Sequence, residues 1–219
     1  MFEYPKIETL FQRDEKFNLT DKIKSPVIEI IKTWQVTEKI DGMNVRIMLD
    51  KEGNLKFDGR NENSSMPSDL VKYLYETFDK QKMKEVFWLP NKHGVIEPVS
   101  VVLYGECYGP GIQKGGYYRK DKAFRLFDVL IAEKYWLNWT NVCDVAQKLG
   151  IKTVPYLGDW TLDDIIRNVR DGIFSDTATQ DSSANVRAEG IVGRTIEPLF
   201  DKRGNRLIIK LKTKDFVGK

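Results

Sequence analysis

Histidine and cysteine are almost missing from this chain. Of its 219 residues one is histidine, His93, and two are cysteine, Cys107 and Cys143. Zinc cages and disulfide frameworks need those residue types at set spacings, so neither organises this protein, and the cysteines read as two reduced, buried thiols. A serine–histidine–acid triad has only His93 to use, in the loop-like "LPNKHGVIEP", and so finds little support. No apolar run approaches a membrane span, and the opening "MFEYPKIETLFQRDEKF" lacks the basic-then-apolar order of a secretion signal. A cytoplasmic protein with no membrane partner is expected. Internal repeats and long linkers are absent too. So is a phosphate loop of the usual kind: "GPGIQKGG" has glycines, but no helix follows it and no glycine–lysine–serine ending closes it, which argues against a P-loop ATPase.

What is present is lysine, arginine, aspartate and glutamate, and any chemistry must use them. The 35 basic and 32 acidic residues leave a net charge of +3, with a pI near 8.6. That balance is too mild to prove a nucleic-acid partner and would not repel one. Hydrophobic residues at 41% and charged residues at 31% describe a soluble globular chain.

Strand patterns run through "WQVTEKI", "NVRIML", "LKFDGR", "VSVVLYGECYG", "AFRLFDVLIAE", "EGIVGRT" and "RLIIKLKTKDF". A turn is expected at "DKEGN" and another around Arg203–Gly204–Asn205. Helical spacing covers "SDLVKYLYETFDKQKMKEVF" with Ser68 as a cap, "TNVCDVAQKLG" between Thr140 and Gly150, and "TLDDIIRNVRDG" between Thr161 and Gly172. The polar "SDTATQDSSAN" reads as a mobile surface loop. Adjacent, antiparallel-looking strands with helices inserted at intervals give an α+β class.

Several charged residues stand where apolar ones would be ordinary. Lys39 lies between Glu38 and Asp41 in "VTEKIDGMNVRI", and Gly42 follows. Glu106, Asp128 and Glu189 each interrupt or border an apolar strand, and isolated acids there are rarely buried unless paired. Lys210 and Lys212 share one face of the last strand. They read either as lysines guarding a sheet edge or as two cations aimed at a polyphosphate. Three strands each offering an acid, in a chain that also carries Lys39, suggest a shared polar pocket.

The ordered segments "EKIDGMN", "FDGRN", "YGECYGPGIQKG", "FRLFDVL", "AEGIV" and "IIKLK" together resemble the covalent nucleotidyltransferases, the DNA ligases, RNA ligases and capping enzymes. The likeness is nearest to the ATP-dependent RNA ligases of the phage RNA ligase 2 group. It extends from Lys39 to Lys212. It implies a nucleotidyltransferase (adenylyltransferase) domain of antiparallel sheets flanked by helices, an ATP-grasp-like ligase core. It also implies an enzyme that joins 3′-hydroxyl and 5′-phosphate RNA ends through a lysine–AMP intermediate. By that likeness Lys39 is the nucleophile. Asp41, Glu106 and Glu189 hold Mg²⁺ (or Mn²⁺), and Lys210 and Lys212 neutralise the phosphates. Glu38 accepts from the adenine amino group, Phe127 stacks on adenine with Asp128 supporting it, and Arg60 contacts a phosphate. Ile40 lies along the nucleotide, Asn44 aids the sealing step, and Gly42 lets backbone approach phosphate or ribose.

Asn44 stands where DNA ligases and capping enzymes usually carry arginine, which favours RNA over DNA. Asp41 replaces the histidine of the phage prototype and keeps a minimal DNA ligase open as a rival. A capping guanylyltransferase fits less well, and so does an inactive nucleic-acid-binding relic of the fold. Residues 1–219 read as a single nucleotidyltransferase domain without the C-terminal domain usual in the group, so RNA affinity is expected to be weak and salt-sensitive. Too little chain precedes Lys39 for the extra domain of NAD-dependent ligases, which makes ATP the expected donor. The expected partners are RNA ends, in nicked duplex or broken structured RNA, met by a monomer in a bacterial or phage-infected cell.

Overall fold

Alternation of apolar and polar residues from Trp34 to Leu49 demands two strands that each bury one face, and the computed structural model shows both, turning at Ile40–Gly42. The structure describes residues 2–16, 18–61, 64–113 and 115–216. In chain order the elements begin with β1 (Glu8–Thr9), β2 (Phe11–Arg13), β3 (Leu19–Ile23), α1 (Pro26–Ile30), β4 (Trp34–Lys39), β5 (Met43–Leu49) and β6 (Leu55–Asp58). There follow α2 (Ser68–Thr77), α3 (Lys80–Phe87), β7 (Val101–Tyr108), β8 (Ala123–Ile131), β9 (Tyr135–Trp136) and α4 (Trp139–Leu149). The chain continues with β10 (Lys152–Thr153), β11 (Tyr156–Trp160), α5 (Leu162–Asp171), α6 (Asp176–Ser182), β12 (Gly190–Arg194) and β13 (Ile208–Lys212). This is the α+β class expected, with two parallel pairings, β1 with β13 and β8 with β10, among antiparallel ones.

The chain divides into two compact units. One comprises residues 5–41 and 154–219, the other residues 1–4 and 42–153. The first is built on a five-stranded sheet in the order β1-β13-β12-β4-β11. Its core gathers Trp34, Val36, Ile191, Ile209 and Leu211 from the strands and Leu10 from the bend between β1 and β2, with Ile165 and Val169 of α5. The second is built on a sheet with the path β10-β8-β7-β5-β6, onto which α3 and α4 pack. Val45, Ile47, Leu49, Leu103 and Val129 face that core with Leu74, Met83 and Val142.

Helix ends follow local chemistry. Thr161 caps α5 through a reciprocal capping box with Asp164, and Gly150 ends α4 at φ 73°. Asn138, not Thr140, is the α4 cap. The single helix expected after Ser68 is two, because Phe78 leaves helical geometry and Asp79 recaps the chain on the Lys82 N–H; Pro67 occupies the cap position ahead of Ser68. Cys107 is buried and Cys143 only partly so, and neither is in a disulfide.

One further expectation fails, and one of two open readings is removed. The polar stretch 175–185 is not a loop: Asp176–Ser182 is helical, with Ser175 as its cap and Thr177 and Ala178 buried. Nor does the last strand guard a sheet edge, since β13 lies between β1 and β12. Among the described residues no helix is long and apolar enough to cross a membrane.

Candidate active site

In the first unit, strand register assembles a cluster of charge. β12 runs antiparallel to both β4 and β13, and Gly190 is the partner of Lys39 on one side and of Lys212 on the other. Glu189, the residue before β12, therefore enters between two lysines. Its Oε2 lies 2.6 Å from Lys39 Nζ and its Oε1 2.5 Å from Lys212 Nζ. Burial works to raise the Glu189 carboxyl, but the charges and hydrogen bonds of Lys39 and Lys212 outweigh it and hold the group below its ordinary value. Gly190 is required by crowding: a Cβ there would stand 2.1 Å from the Leu211 carbonyl oxygen. Lys210, two residues before Lys212 and on the same face, pairs with Val192 and Thr9.

Glu38, next to the lysine, turns inward and is only 2% exposed. Its Oε1 accepts from the Ser175 hydroxyl at 2.5 Å. Its Oε2 accepts from the Thr177 N–H at 2.9 Å and the Thr177 hydroxyl at 3.0 Å. Burial raises the Glu38 carboxyl above its ordinary value, and these three donors only partly offset it. Ser175 and Thr177 escape sequence reading, because the only hint of their role is a carboxylate 137 and 139 residues away. Ile40 is buried, and Asp41 is the last residue of this unit before the chain crosses over.

The second unit holds Asn44, Arg60, Glu106, Phe127 and Asp128. Asn44 pairs with Glu106 across β5 and β7, and Glu106 pairs with Arg125 on β8, so the three share one face. The Asn44 Oδ1 is buried and has no hydrogen-bond partner, a cost that a bound donor would remove. Gly42 has a reason internal to the protein: a Cβ would meet the Cys107 carbonyl oxygen at 2.3 Å and Glu106 Cγ at 2.9 Å. Arg60 is exposed in the loop after β6. The "GPGIQK" turn is described except for Lys114, which lies outside the described residues.

Phe127 and Asp128 take different environments because β8 carries a bulge. Tyr104 pairs with Asp128 and Gly105 with Leu126, which leaves Phe127 as the extra residue. Its ring meets Tyr4 edge-on at 5.1 Å, while Asp128 is buried and accepts from the Tyr4 hydroxyl at 2.8 Å. Arg46 and Arg125 were open to the same inference as Glu106, being charged residues inside apolar strands. Both are almost fully buried; Arg46 donates to the Gly59 carbonyl and Arg125 to the Tyr108 hydroxyl and the Thr153 carbonyl.

Chemically, the first unit offers an amine, a carboxylate and a second amine in line, which suits covalent capture of a phosphorus centre with cationic support. Within neither unit do three or more histidine, cysteine or acidic side chains among the described residues converge as a metal cage. Carboxylate oxygens such as those of Asp41 and Glu189 in the first unit and Glu106 in the second are, each by itself, the hard donor type that a magnesium-like cation takes.

A family model described as RNA ligase matches residues 32–212. Among solved structures, a Naegleria gruberi RNA ligase mutant with ATP and Mn superposes with a TM-score of 0.62 at 21% identity, covering 98% of this chain and 58% of that one. A second Naegleria gruberi mutant, with AMP and Mn, gives 0.65 at 18% identity over 98% and 63%. An archaeal ATP-dependent RNA ligase gives 0.63 at 18% identity over 99% and 49%. The chain thus spans 49–63% of the length of these proteins, and at such identities the likeness establishes the fold.

Proposed function

Because this chain belongs to the RNA ligase family, we propose that it is an ATP-dependent RNA ligase, of the RNA ligase 2 type, acting through a covalent Lys39–AMP. The observation that carries this reading is the Lys39–Glu189–Lys212 line, fixed by the register of three adjacent strands. A surface salt bridge needs no such register.

In the first step the Lys39 Nζ lone pair attacks the α-phosphorus of ATP. A P–N bond forms, the bond to the bridging oxygen of the β-phosphate breaks, and pyrophosphate leaves. An RNA 5′-phosphate oxygen then attacks the same phosphorus, the P–N bond breaks, and lysine is regenerated. Last, a 3′-hydroxyl oxygen attacks the 5′-phosphorus, AMP leaves, and the phosphodiester closes. To begin, Lys39 must leave its pair with Glu189 and shed a proton, since an ammonium has no lone pair to attack with.

Lys210 and Lys212 meet the negative charge that builds on the phosphates, where fixed cations contribute most. Glu38 accepts from the adenine amino group, Phe127 offers a ring face to the base with Asp128 beside it, and Arg60 meets a phosphate. Asn44, with its unpartnered Oδ1, receives a donor during sealing, and Ile40 flanks the nucleotide. Asp41, Glu106 and Glu189 would hold Mg²⁺ or Mn²⁺, which would supply positive charge against the triphosphate. The natural substrates in this reading are RNA ends in nicked duplex or broken structured RNA, sealed by a monomer in the cytoplasm.

The test is incubation with α-labelled ATP and Mg²⁺. Label should appear on the wild-type protein and be absent from Lys39→Ala and from Glu189→Ala. Wild-type protein that takes up no label rejects the ligase reading. Sealing of all-DNA nicks as fast as nicks with an RNA 3′-hydroxyl strand selects the DNA ligase instead.

A further inference from the structure

Ser175 and Thr177 take no part in the chemistry above, yet both are completely buried and both donate their hydroxyls to one distant carboxylate. The Ser175 Oγ is used twice, accepting from the Ala178 N–H at 3.0 Å and donating to Glu38 Oε1. The first turn of α6 is thereby linked through a hydroxyl to Glu38, while Thr177 grips the other oxygen with its N–H and its hydroxyl. We propose that Ser175 and Thr177 are positioning residues that keep Glu38 an acceptor only, and that they thereby set the preference for adenine over guanine nucleotides. This rests on Glu38 reading the adenine amino group, as proposed above.

The chemistry is that of donor and acceptor counting. An ionised carboxylate has about four acceptor sites and no donor. Three sites are occupied here, which leaves one for a base edge. Adenine presents an amino donor at its six-position, and guanine presents a carbonyl oxygen there. A carboxylate accepts from the first and repels the second, whereas a neutral carboxyl has a hydroxyl that can donate to guanine. Burial pushes Glu38 toward the neutral form, as does the charge of neighbouring Asp176, and the Ser175 and Thr177 donors are the groups that oppose it. Removing a donor both loosens the acceptor and favours the form that tolerates guanine.

A plainer role is a structural lock that ties β4 to α6. The two roles separate in lysine labelling by α-labelled ATP and GTP across a concentration series. Ser175→Ala and Thr177→Val should each raise the KM for ATP about tenfold, the loss expected for one hydrogen bond to a charged group. Labelling at saturating ATP should stay within about threefold, and the GTP-to-ATP labelling ratio should rise about tenfold. Thr177→Ser keeps both donors and should behave as wild type. Ser175→Cys keeps the size but weakens the donor, so it should shift KM and ratio in the same direction even where the alanine variant fails to fold. Folded variants whose ATP KM and GTP-to-ATP ratio match wild type, with only a lower melting temperature, overturn the proposal in favour of the lock. Absence of label on the wild-type protein would instead defeat the ligase reading itself.

Discussion

At the scale of single residues, the charge cluster and the glycines beside it make different demands. Glu189 has its folded pKa held below the ordinary carboxylate value of 4.5. The unfolded chain therefore binds its proton first, so the stability Glu189 contributes is present above that value and is lost as pH falls through the lower folded one. Melting temperature followed from pH 6 down to about pH 3 should drop in wild type and drop less steeply in Glu189→Gln; parallel curves would show that the two lysines do not depend on its charge. Glu38 works with the opposite sign, its raised pKa making a contribution that fades as pH rises through the folded value. Gly42→Ala sets a Cβ against the Cys107 carbonyl, a backbone atom that cannot rotate away. A loss of roughly 1–3 kcal/mol, seen in a denaturant melt, is expected for such overpacking. Sequence alone marked Gly42 as a place of close approach, but assigned the approach to a ligand, because the facing strand is 65 residues away in the chain and its distance is a tertiary fact.

Elements show where sequence reading succeeds and where it stops. The α5 helix was visible as Thr161 at its start, Gly172 at its end and apolar residues at helical spacing, since all of that information is local. Thr161→Ala removes one half of the capping box and should cost about 1 kcal/mol, lowering the melting temperature by about 2–4 °C without changing lysine labelling. A labelling defect would mean that α5 does more than support its sheet. The α6 helix was invisible for the converse reason. Its seven residues carry few apolar side chains, and its anchor is the buried Glu38 carboxylate on β4. The lysine pair on β13 was ambiguous for the same kind of reason: only pairing with β1 and β12 removes the edge-strand reading.

For the molecule as a whole, each unit has its own sheet and core, and the residues assigned to the reaction are shared out between them. Lys39, Asp41, Glu189, Lys210 and Lys212 belong to one, and Asn44, Arg60, Glu106, Phe127 and Asp128 to the other. The set was put together from its order along the chain, which carries no distances. On the ligase reading proposed above, and with a net charge of only +3, RNA capture should rest on a few phosphate contacts. Affinity for an RNA nick should fall as salt rises, with a log–log slope of about −0.7 to −0.9 per phosphate contacted, while labelling by ATP alone stays nearly constant. A salt-independent affinity would point to recognition through bases. One constraint on the chain's history follows from the irregularity in β8. Since Phe127 is surplus to the pairing, Arg125 and Asp128 point the same way although an odd number of positions separates them. Dropping Phe127 would restore perfect alternation with Arg125 and Asp128 still on one face, and would remove the ring that meets Tyr4. Descendants of this protein that keep an aromatic ring at this place against Tyr4 must therefore also keep the extra residue.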